Sequence, residues 1–124
     1  MPINLDIFHP NRIVVVVARG PITAEEAVRT IQEFVEKGMV HYRKIIDISM
    51  GRSNMDPELV KKVAEFIRAT PQGANRGPLA FVVDRIAGNS MAEYFAELTE
   101  GERPVKVFTS LSEARRWLDE NSTI

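Results

Sequence analysis

The sequence predicts an α/β fold, with a mostly parallel five-stranded sheet, one antiparallel edge strand at its amino end and four helices packed on it. Four consecutive valines, Val14 to Val17, lack polar alternation, which is typical of a strand covered on both faces. After the opening strand, apolar strands and segments of helical periodicity alternate four times. Because a strand–helix–strand crossover joins parallel strands, this alternation predicts parallel pairing for every strand but the first.

Composition excludes several classes of protein. The 124 residues carry a formal net charge of −1, with no basic field that would attract nucleic acid. The absence of cysteine excludes disulfides, thiolate nucleophiles and sulfur-ligated metals. The amino end lacks a secretion signal, and no apolar run is long enough to form a transmembrane segment. We therefore expect one cytoplasmic domain over residues 1–124, with its own core and no cofactor.

The first third of the chain predicts two antiparallel strands and a helix. Strands over residues 3–8 and 12–18 flank a Pro-Asn turn, which favours a tight reversal. Thr23 and Glu26 form a capping-box pattern that begins a helix, and Gly38 is placed to end it.

The middle of the chain predicts a strand, a polar loop and a second helix. A short apolar strand over residues 44–48 runs into a polar loop over residues 49–55. Asp56 then has the position of a helix N-cap, and Pro57 that of the first helical residue, where its missing N–H costs nothing. An apolar stripe at helical spacing continues to Thr70.

The last third predicts two strands, each followed by a helix. The strands cover residues 79–83 and 105–108, and a capping-box pattern begins the final helix. The third helix lies between residues 86 and 99, with either Asp84 or Ser90 as its cap. Its predicted inner face consists of Met91, Tyr94, Phe95 and Leu98.

Polar turns are predicted to meet at one edge of the sheet, which we call the carboxyl rim because they follow the carboxyl ends of strands. These turns are residues 19–22, 49–55, 84–90 and 109–110. Helix amino ends and nearby arginines make this rim suitable for a small anion or an acidic segment of a protein partner. Helix capping and solvation explain the same residues without any ligand. The candidate binding residues are Arg19, Ser49, Arg52, Ser53, Asn54, Asp56, Asp84, Arg85, Asn89 and Ser90.

No catalytic or metal-binding constellation is predicted. His9 and His41 are far apart in sequence and lack the i, i+4 spacing of a helical metal pair. Asp47, at a strand end, has no evident acidic or histidine partner. The glycine-rich stretch over residues 72–77 is interpreted as a plain connection at the opposite edge of the sheet. We therefore expect a protein that is not an enzyme.

The order of elements and the end of the chain resemble a known family. Residues 105–118 read VKVFTSLSEARRWL, a strand that runs into a loop and a helix carrying an alanine and an aromatic–leucine pair. This ending and the β-β-α-β-α-β-α-β-α order resemble the STAS domains (sulfate transporter and anti-sigma factor antagonist), especially their SpoIIAA-like branch. The resemblance implies a single SpoIIAA-like domain and a regulatory role.

One position departs from the family pattern. In its anti-sigma factor antagonists, the third strand ends in an Asp-Leu-Ser-type turn, and the next helix opens with Asp-Ser, whose serine is phosphorylated. Asp47-Ile48-Ser49 resembles that turn and Asp56 resembles that aspartate, but Pro57 stands where the serine would be. Since proline has no hydroxyl, the resemblance implies a module without the phosphoserine switch.

Two functions stay open from the sequence. The first is a regulatory binding module that uses the carboxyl rim to contact a protein partner or small anion. The second is a carrier of an apolar or lipid-like ligand under the third helix, because the SpoIIAA-like branch resembles the CRAL-TRIO lipid-binding folds. The same apolar residues would also serve as ordinary core. Leu59 and Phe66 could support a homodimer, or simply widen the buried stripe of their helix.

Overall fold

A computed structural model of the chain describes residues 3–53, 56–70 and 76–121. All five strands form one sheet in the order β1-β2-β3-β4-β5, in which β1 pairs antiparallel with β2 and the other neighbours are parallel. The predicted fold class is therefore confirmed. The elements are β1 (Ile3–Phe8), β2 (Ile13–Ile22), α1 (Ala24–Glu36), β3 (Arg43–Ser53), α2 (Pro57–Ala69), β4 (Leu79–Val82), α3 (Ser90–Leu98), β5 (Val105–Phe108) and α4 (Leu111–Glu120).

The helices divide unequally between the two faces of the sheet. Right-handed crossovers that always step in the same direction place α1, α2 and α3 on one face. There Val63 of α2 and Phe95 of α3 pack with Phe81 of β4 in the main core. The last helix, α4, covers the other face, where Leu118 packs against Val82. The strand order never reverses, so this sheet lacks the crevice that a doubly wound sheet opens at its reversal point.

The valine run of β2 is covered less completely than the sequence predicts. Val14 and Val16 are buried beneath the three-helix layer, whereas Val15 and Val17 are only half-buried. The reason is that α4 contacts β3, β4 and β5 and leaves the same face of β2 partly open.

The predicted polar loop over residues 49–55 is wrong in its first part, because β3 continues to Ser53. Its partner β2 likewise continues to Ile22, past the predicted end of that strand. The remaining loop residues, Asn54 and Met55, lie outside the described residues.

A two-stranded parallel ribbon results from this extension. Arg19 pairs with Met50 and Ile22 with Ser53, after a register shift between Val17 and Arg19. Strand β4 pairs with β3 only as far as the Asp47–Val82 pair, so the ribbon extends beyond the rest of the sheet. This arrangement lengthens the carboxyl rim on the β2–β3 side.

The starts of the first two helices agree with the sequence. Thr23 caps α1, and both hydrogen bonds of the capping box with Glu26 are present. Asp56 caps α2, where its Oδ1 accepts a hydrogen bond from the Leu59 N–H at 3.0 Å, and Pro57 is the first helical residue.

The start of α3 corrects the sequence prediction. Its N-cap is Asn89, whose Oδ1 accepts from the Ala92 N–H at 3.1 Å, and neither Asp84 nor Ser90 has that role. Asp84 instead accepts the backbone N–H groups of the next turn, and Gly88, at φ 64°, then redirects the chain into the helix. Among the described residues, no helix combines the length and apolar content that crossing a bilayer requires.

Candidate functional site

Several polar residues of the carboxyl rim form local hydrogen bonds. Asp47 is the last residue of β3 that pairs with β4, and its Oδ1 accepts from the Ser49 N–H at 3.0 Å and from the Ser49 hydroxyl at 2.6 Å. Asp84 Oδ1 accepts from the N–H groups of Ile86 and Ala87, both at 2.8 Å. These bonds, that from Ala87 first, lower the pKa of Asp84 below its ordinary value.

The other rim candidates divide into caps and exposed groups. Asp56 and Asn89 cap helices, as described above, and Ser90 is the exposed first residue of α3. The side chains of Arg19 and Arg85 are exposed to solvent. The backbone of positions 52 and 53 belongs to β3, while position 54 lies outside the described residues. A ligand-binding role for this set stays a prediction.

The carboxyl rim also carries exposed apolar side chains, which the sequence did not predict. Met50, Ile86 and Leu111 are 59%, 97% and 49% exposed. Met50 lies in β3 beyond the part that pairs with β4, and Ile86 and Leu111 follow β4 and β5. Because β3, β4 and β5 are neighbours in the sheet, all three residues belong to the carboxyl rim. The remaining large exposed apolar side chain of the described residues, Phe8, ends β1 at the opposite edge.

A cavity lies between the sheet and the layer of α1, α2 and α3. Its volume is about 130 Å³, its walls are mostly apolar and it is partly open to solvent. The apolar face of α1 is only partly buried beside this cavity: Phe34 is buried, whereas Ala27 and Ile31 are half-buried. Apolar residues that line the cavity include Val16, Ile31, Phe34, Ile46, Phe81 and Phe95.

Three basic residues, Lys44, Arg76 and Arg103, line one end of this cavity. Lys44 is the second residue of β3, and the two arginines shortly precede β4 and β5. The cluster therefore lies at the amino ends of the parallel strands, opposite the carboxyl rim. We call it the cation end of the cavity.

The ammonium group of Lys44 is the most deeply buried charge of the cation end. Lys44 is 3% exposed, and its Nζ donates to the carbonyl oxygens of Val40 at 2.7 Å and Tyr42 at 2.8 Å. Burial is the main cause that lowers the pKa of Lys44 to about 7, followed by repulsion from Arg103 and Arg76.

Arg103 is held in a similar environment. Its Nη1 donates to the carbonyl oxygen of Gly77 at 3.2 Å. Its Nε is buried and has no hydrogen-bond partner among the residues that the structure describes. Burial is the main cause that lowers the pKa of Arg103 to about 10; the charge of Arg76 adds to this effect and that of Glu102 offsets part of it.

Glu102 is the acidic residue beside this cluster. Arg76 Nη2 lies 2.7 Å from its Oε1, and Arg68 Nη2 lies 2.7 Å from its Oε2. The hydrogen bonds from Arg68, and then those from Arg76, lower the pKa of Glu102 to about 2. Glu102 is therefore a carboxylate shared by two arginines, and three basic side chains face the cavity with one acid nearby.

A sequence signal existed for Lys44 but not for the two arginines. Residues two apart in a strand face the same side, so Lys44 shares the face of Ile46 and Ile48 and is expected beneath a helix. Arg76 lies at the end of the glycine-rich stretch interpreted as a plain connection, and Arg103 lies in a turn without apolar periodicity. Only the fold brings these positions together.

No protein-family model matches this sequence, and a search of curated proteins finds no match. Solved structures do resemble the fold. An uncharacterised DUF3478-family protein with a SpoIIAA-like fold from Shewanella loihica PV-4 superposes with a TM-score of 0.60, at 16% identity over 94% of this chain and 91% of that chain. The anti-sigma factor antagonist SpoIIAA in its unphosphorylated form gives 0.56, at 16% identity over 94% and 97%. A proposed anti-sigma factor antagonist from Thermotoga maritima gives 0.56, at 20% identity over 94% of both chains. The chain therefore has the SpoIIAA-like fold that its element order and closing segment predict.

Proposed function

We propose that the protein is a non-enzymatic binding module that docks a protein partner on the carboxyl rim. The observation that carries this proposal is the exposure of Met50, Ile86 and Leu111 at the carboxyl ends of three adjacent strands. Apolar side chains that a folded domain leaves in water at neighbouring positions are typical of interaction surfaces.

Charge on the rim supports an acidic partner segment. Arg19 and Arg85 are exposed there, near the amino ends of α1 and α3. Helix amino ends carry partial positive charge, so they add to the attraction for a negatively charged segment or a small anion. Apolar contacts would then supply most of the affinity and the arginines the orientation.

The similar structures support protein binding at a coarser level. Two of them are named as anti-sigma factor antagonists, a name that describes action on another protein. Identities of 16% and 20% carry the fold and not the partner. Because Pro57 begins α2 and has no hydroxyl, we propose that docking does not depend on phosphorylation at that position.

Site-specific crosslinking in cells tests rim docking. A photo-crosslinking amino acid at position 86 should give a discrete covalent product with one other protein. The same amino acid at position 8, another exposed apolar site but at the opposite edge, is the matched control and should not give that product. Equal products from both positions would overturn the proposal, and a product of two copies of this chain would assign the rim to a homodimer instead.

Binding of the purified partner provides the second measurement. Ile86→Asp should weaken the complex by about tenfold or more, as expected for loss of an apolar anchor at an interface. The melting temperature should stay unchanged, because Ile86 contributes nothing to the core. An unaltered affinity would remove Ile86 from the docking surface.

Carriage of a small apolar ligand is the second candidate function. The observation that favours it is the apolar cavity of about 130 Å³ between the sheet and α1–α3, which extends beyond the third helix named in the sequence prediction. Native mass spectrometry of protein isolated from cells should then show an adduct of small-molecule mass that is lost on unfolding. A bare chain under the same gentle conditions would count against carriage and leave rim docking untouched.

A further inference from the structure

The cation end of the cavity holds hydrogen-bond donors that the protein itself does not fully use. An ammonium group has three N–H donors, and Lys44 directs two of them to the carbonyl oxygens of Val40 and Tyr42. One donor of Lys44 therefore remains. The Nε–H of Arg103 is a further buried donor, without a partner in the described part of the chain.

The two uncharged polar side chains of the cavity wall, Thr30 and Thr70, have no such donor to offer. Thr30 gives its hydroxyl hydrogen to the carbonyl oxygen of Glu26 at 2.9 Å, and Thr70 gives its own to that of Ile67 at 2.7 Å. The Thr30 hydroxyl thus bonds within α1, and the Thr70 hydroxyl bonds the last turn of α2, which Thr70 caps. The basic side chains of the cation end are thus the groups that can bind a polar atom inside an otherwise apolar space, and a donor is available there from Lys44 and from Arg103.

The basic side chains around the cavity favour a negatively charged ligand. Three basic side chains line the cavity, and the nearby carboxylate of Glu102 already binds Arg68 and Arg76. Buried positive charge without a matching negative charge is costly, and an anion placed beside it removes part of that cost. Burial is also the main cause that lowers the pKa values of Lys44 and Arg103.

We propose that the cavity binds a small monocarboxylate, with its apolar body between the sheet and α1–α3 and its carboxylate at Lys44 and Arg103. The two oxygens of a carboxylate match the two available donors, one from each residue. This inference deepens the second candidate function above, because it names the chemical class of the carried ligand and the residues that select it.

The cavity volume limits the size of the apolar body. At about 130 Å³ it approaches the engineered cavity of roughly 150 Å³ that binds benzene in a folded protein. A body of roughly six carbon atoms therefore fits, and a longer chain would have to leave through the open part of the cavity. Hexanoate is a suitable probe, and 1-hexanol is its neutral counterpart of similar length.

The test compares these two probes by titration calorimetry and by amide chemical shifts of the wild-type protein. Hexanoate should bind at least about tenfold more tightly than 1-hexanol, as expected for hydrogen bonds to a charged group. Shifts on binding should concentrate at cavity residues such as Ile46 and Phe81 and not at the carboxyl rim. The pKa of the bound carboxylic acid, measured with a carboxyl-labelled probe, should fall below its value in free solution.

Variants then assign the selectivity to residues. Lys44→Met and Arg103→Met should each reduce the preference for hexanoate over 1-hexanol by about tenfold, while 1-hexanol binding stays similar. Arg116→Met is the control, because Arg116 is exposed on α4, on the other face of the sheet, and its loss should change neither affinity. The wild-type comparison of acid with alcohol decides the proposal even if a core variant fails to fold.

The outcomes separate this inference from carriage itself. Equal binding of acid and alcohol in the cavity would overturn the role of the cation end while carriage stands. Absence of binding by either probe would overturn both. A preference for hexanoate that survives in both folded core variants would show that the carboxylate binds elsewhere, and would overturn the assignment to Lys44 and Arg103.

Discussion

The ammonium group of Lys44 lies 5.3 Å from the centre of the Phe34 ring, so β3 and α1 meet at the cavity through a cation and an aromatic face. Such a contact stabilises a buried cation by about 1–2 kcal/mol, and the two carbonyl oxygens that accept from Nζ add to it. These interactions do not restore the hydration that Lys44 loses, because its pKa remains lowered to about 7. The charge of Lys44 is thus a cost that folding bears at neutral pH.

The first prediction concerns the pH dependence of that cost. Between about pH 7 and the ordinary lysine pKa of 10.5, unfolded Lys44 binds a proton that folded Lys44 has mostly released. The free energy of unfolding of wild type, relative to Lys44→Met, should therefore rise with pH by up to about 1.4 kcal/mol per unit. Below about pH 7 both states bind the proton and the difference should level off. Urea unfolding at several pH values measures it.

Neighbouring charges define the range and the control of this experiment. Arg76 and Arg103 face Lys44, and the pKa of Arg103, lowered to about 10, would add a change of the same sign at higher pH. Measurements from about pH 7 to about pH 9.5 isolate Lys44. Lys61→Met, at an exposed position of α2, is the control, and its free energy of unfolding should change with pH as that of wild type does. If the free energies of unfolding of Lys44→Met and wild type changed with pH in the same way, a buried ammonium group at Lys44 would be contradicted.

The second prediction concerns acid. The pKa of Glu102 falls from 4.5 to about 2, because Arg68 and Arg76 bind its charged form. Its contribution to stability is therefore complete above about pH 4.5 and is lost as pH falls toward 2. Glu102→Gln should lower the free energy of unfolding by about 1–2 kcal/mol at neutral pH, a value reduced by solvent screening, and by almost nothing near pH 2.

Chemical unfolding of Glu102→Gln at neutral and acid pH checks this expectation. Glu120→Gln is the matched control, since Glu120 is exposed at the end of α4. A deficit for Glu102→Gln that is the same at both pH values would show that packing, and not charge, explains the effect.

Local signals in the sequence were sufficient for the order of the elements and for most of their boundaries. Caps such as Thr23 and Asp56 act within one helical turn, so a short stretch of sequence is enough to predict where a helix begins. The β2–β3 ribbon, in contrast, depends on pairing between residues that are far apart in the sequence. Gly20 and Pro21 favour a break in the strand, yet both remain in β2 because they pair with Gly51 and Arg52. Long-range pairing outweighs local preference there.

The cavity could be predicted only in part. An apolar stripe on α3 indicates a buried face, but it does not tell whether the layers close completely. The space beneath α1 depends on how far that helix stands from the sheet, and this distance depends on residues such as Phe34 and Lys44 that meet only in the fold. Arg103 reaches the cavity from a turn beside β5, and nothing in its immediate sequence indicates burial.

The third prediction concerns Gly77, where β4 is preceded by a very close backbone approach. The Gly77 N–H donates to the Val40 carbonyl oxygen at 3.1 Å, and a Cβ at Gly77 would overlap the carbonyl oxygens of Tyr42 and His41. Backbone atoms cannot yield as a side-chain tip can. Gly77→Ala should therefore lower the free energy of unfolding by about 3 kcal/mol or more.

Gly88→Ala is the control for this substitution. Gly88 has a φ of 64°, but no atom lies within 4 Å of the position that a Cβ would occupy. Alanine at this position would therefore cause backbone strain without a steric overlap. Its expected cost is about 1–2 kcal/mol. Denaturant unfolding of the two variants should rank Gly77→Ala as clearly the less stable, and similar losses would show that the backbone near Gly77 can relax.

The fourth prediction tests which residue caps α3. Asn89 Oδ1 accepts the Ala92 N–H at 3.1 Å, whereas Ser90 is the exposed first residue of the helix. Asn89→Ala leaves an amide of the first turn without its acceptor and should lower the free energy of unfolding by about 1 kcal/mol. Ser90→Ala removes no cap and places a better helix former in the helix, so its effect should stay within about 0.5 kcal/mol of zero. Urea unfolding of both variants under one set of conditions gives the comparison. A larger loss for Ser90→Ala would return the cap to the position that the sequence first suggested.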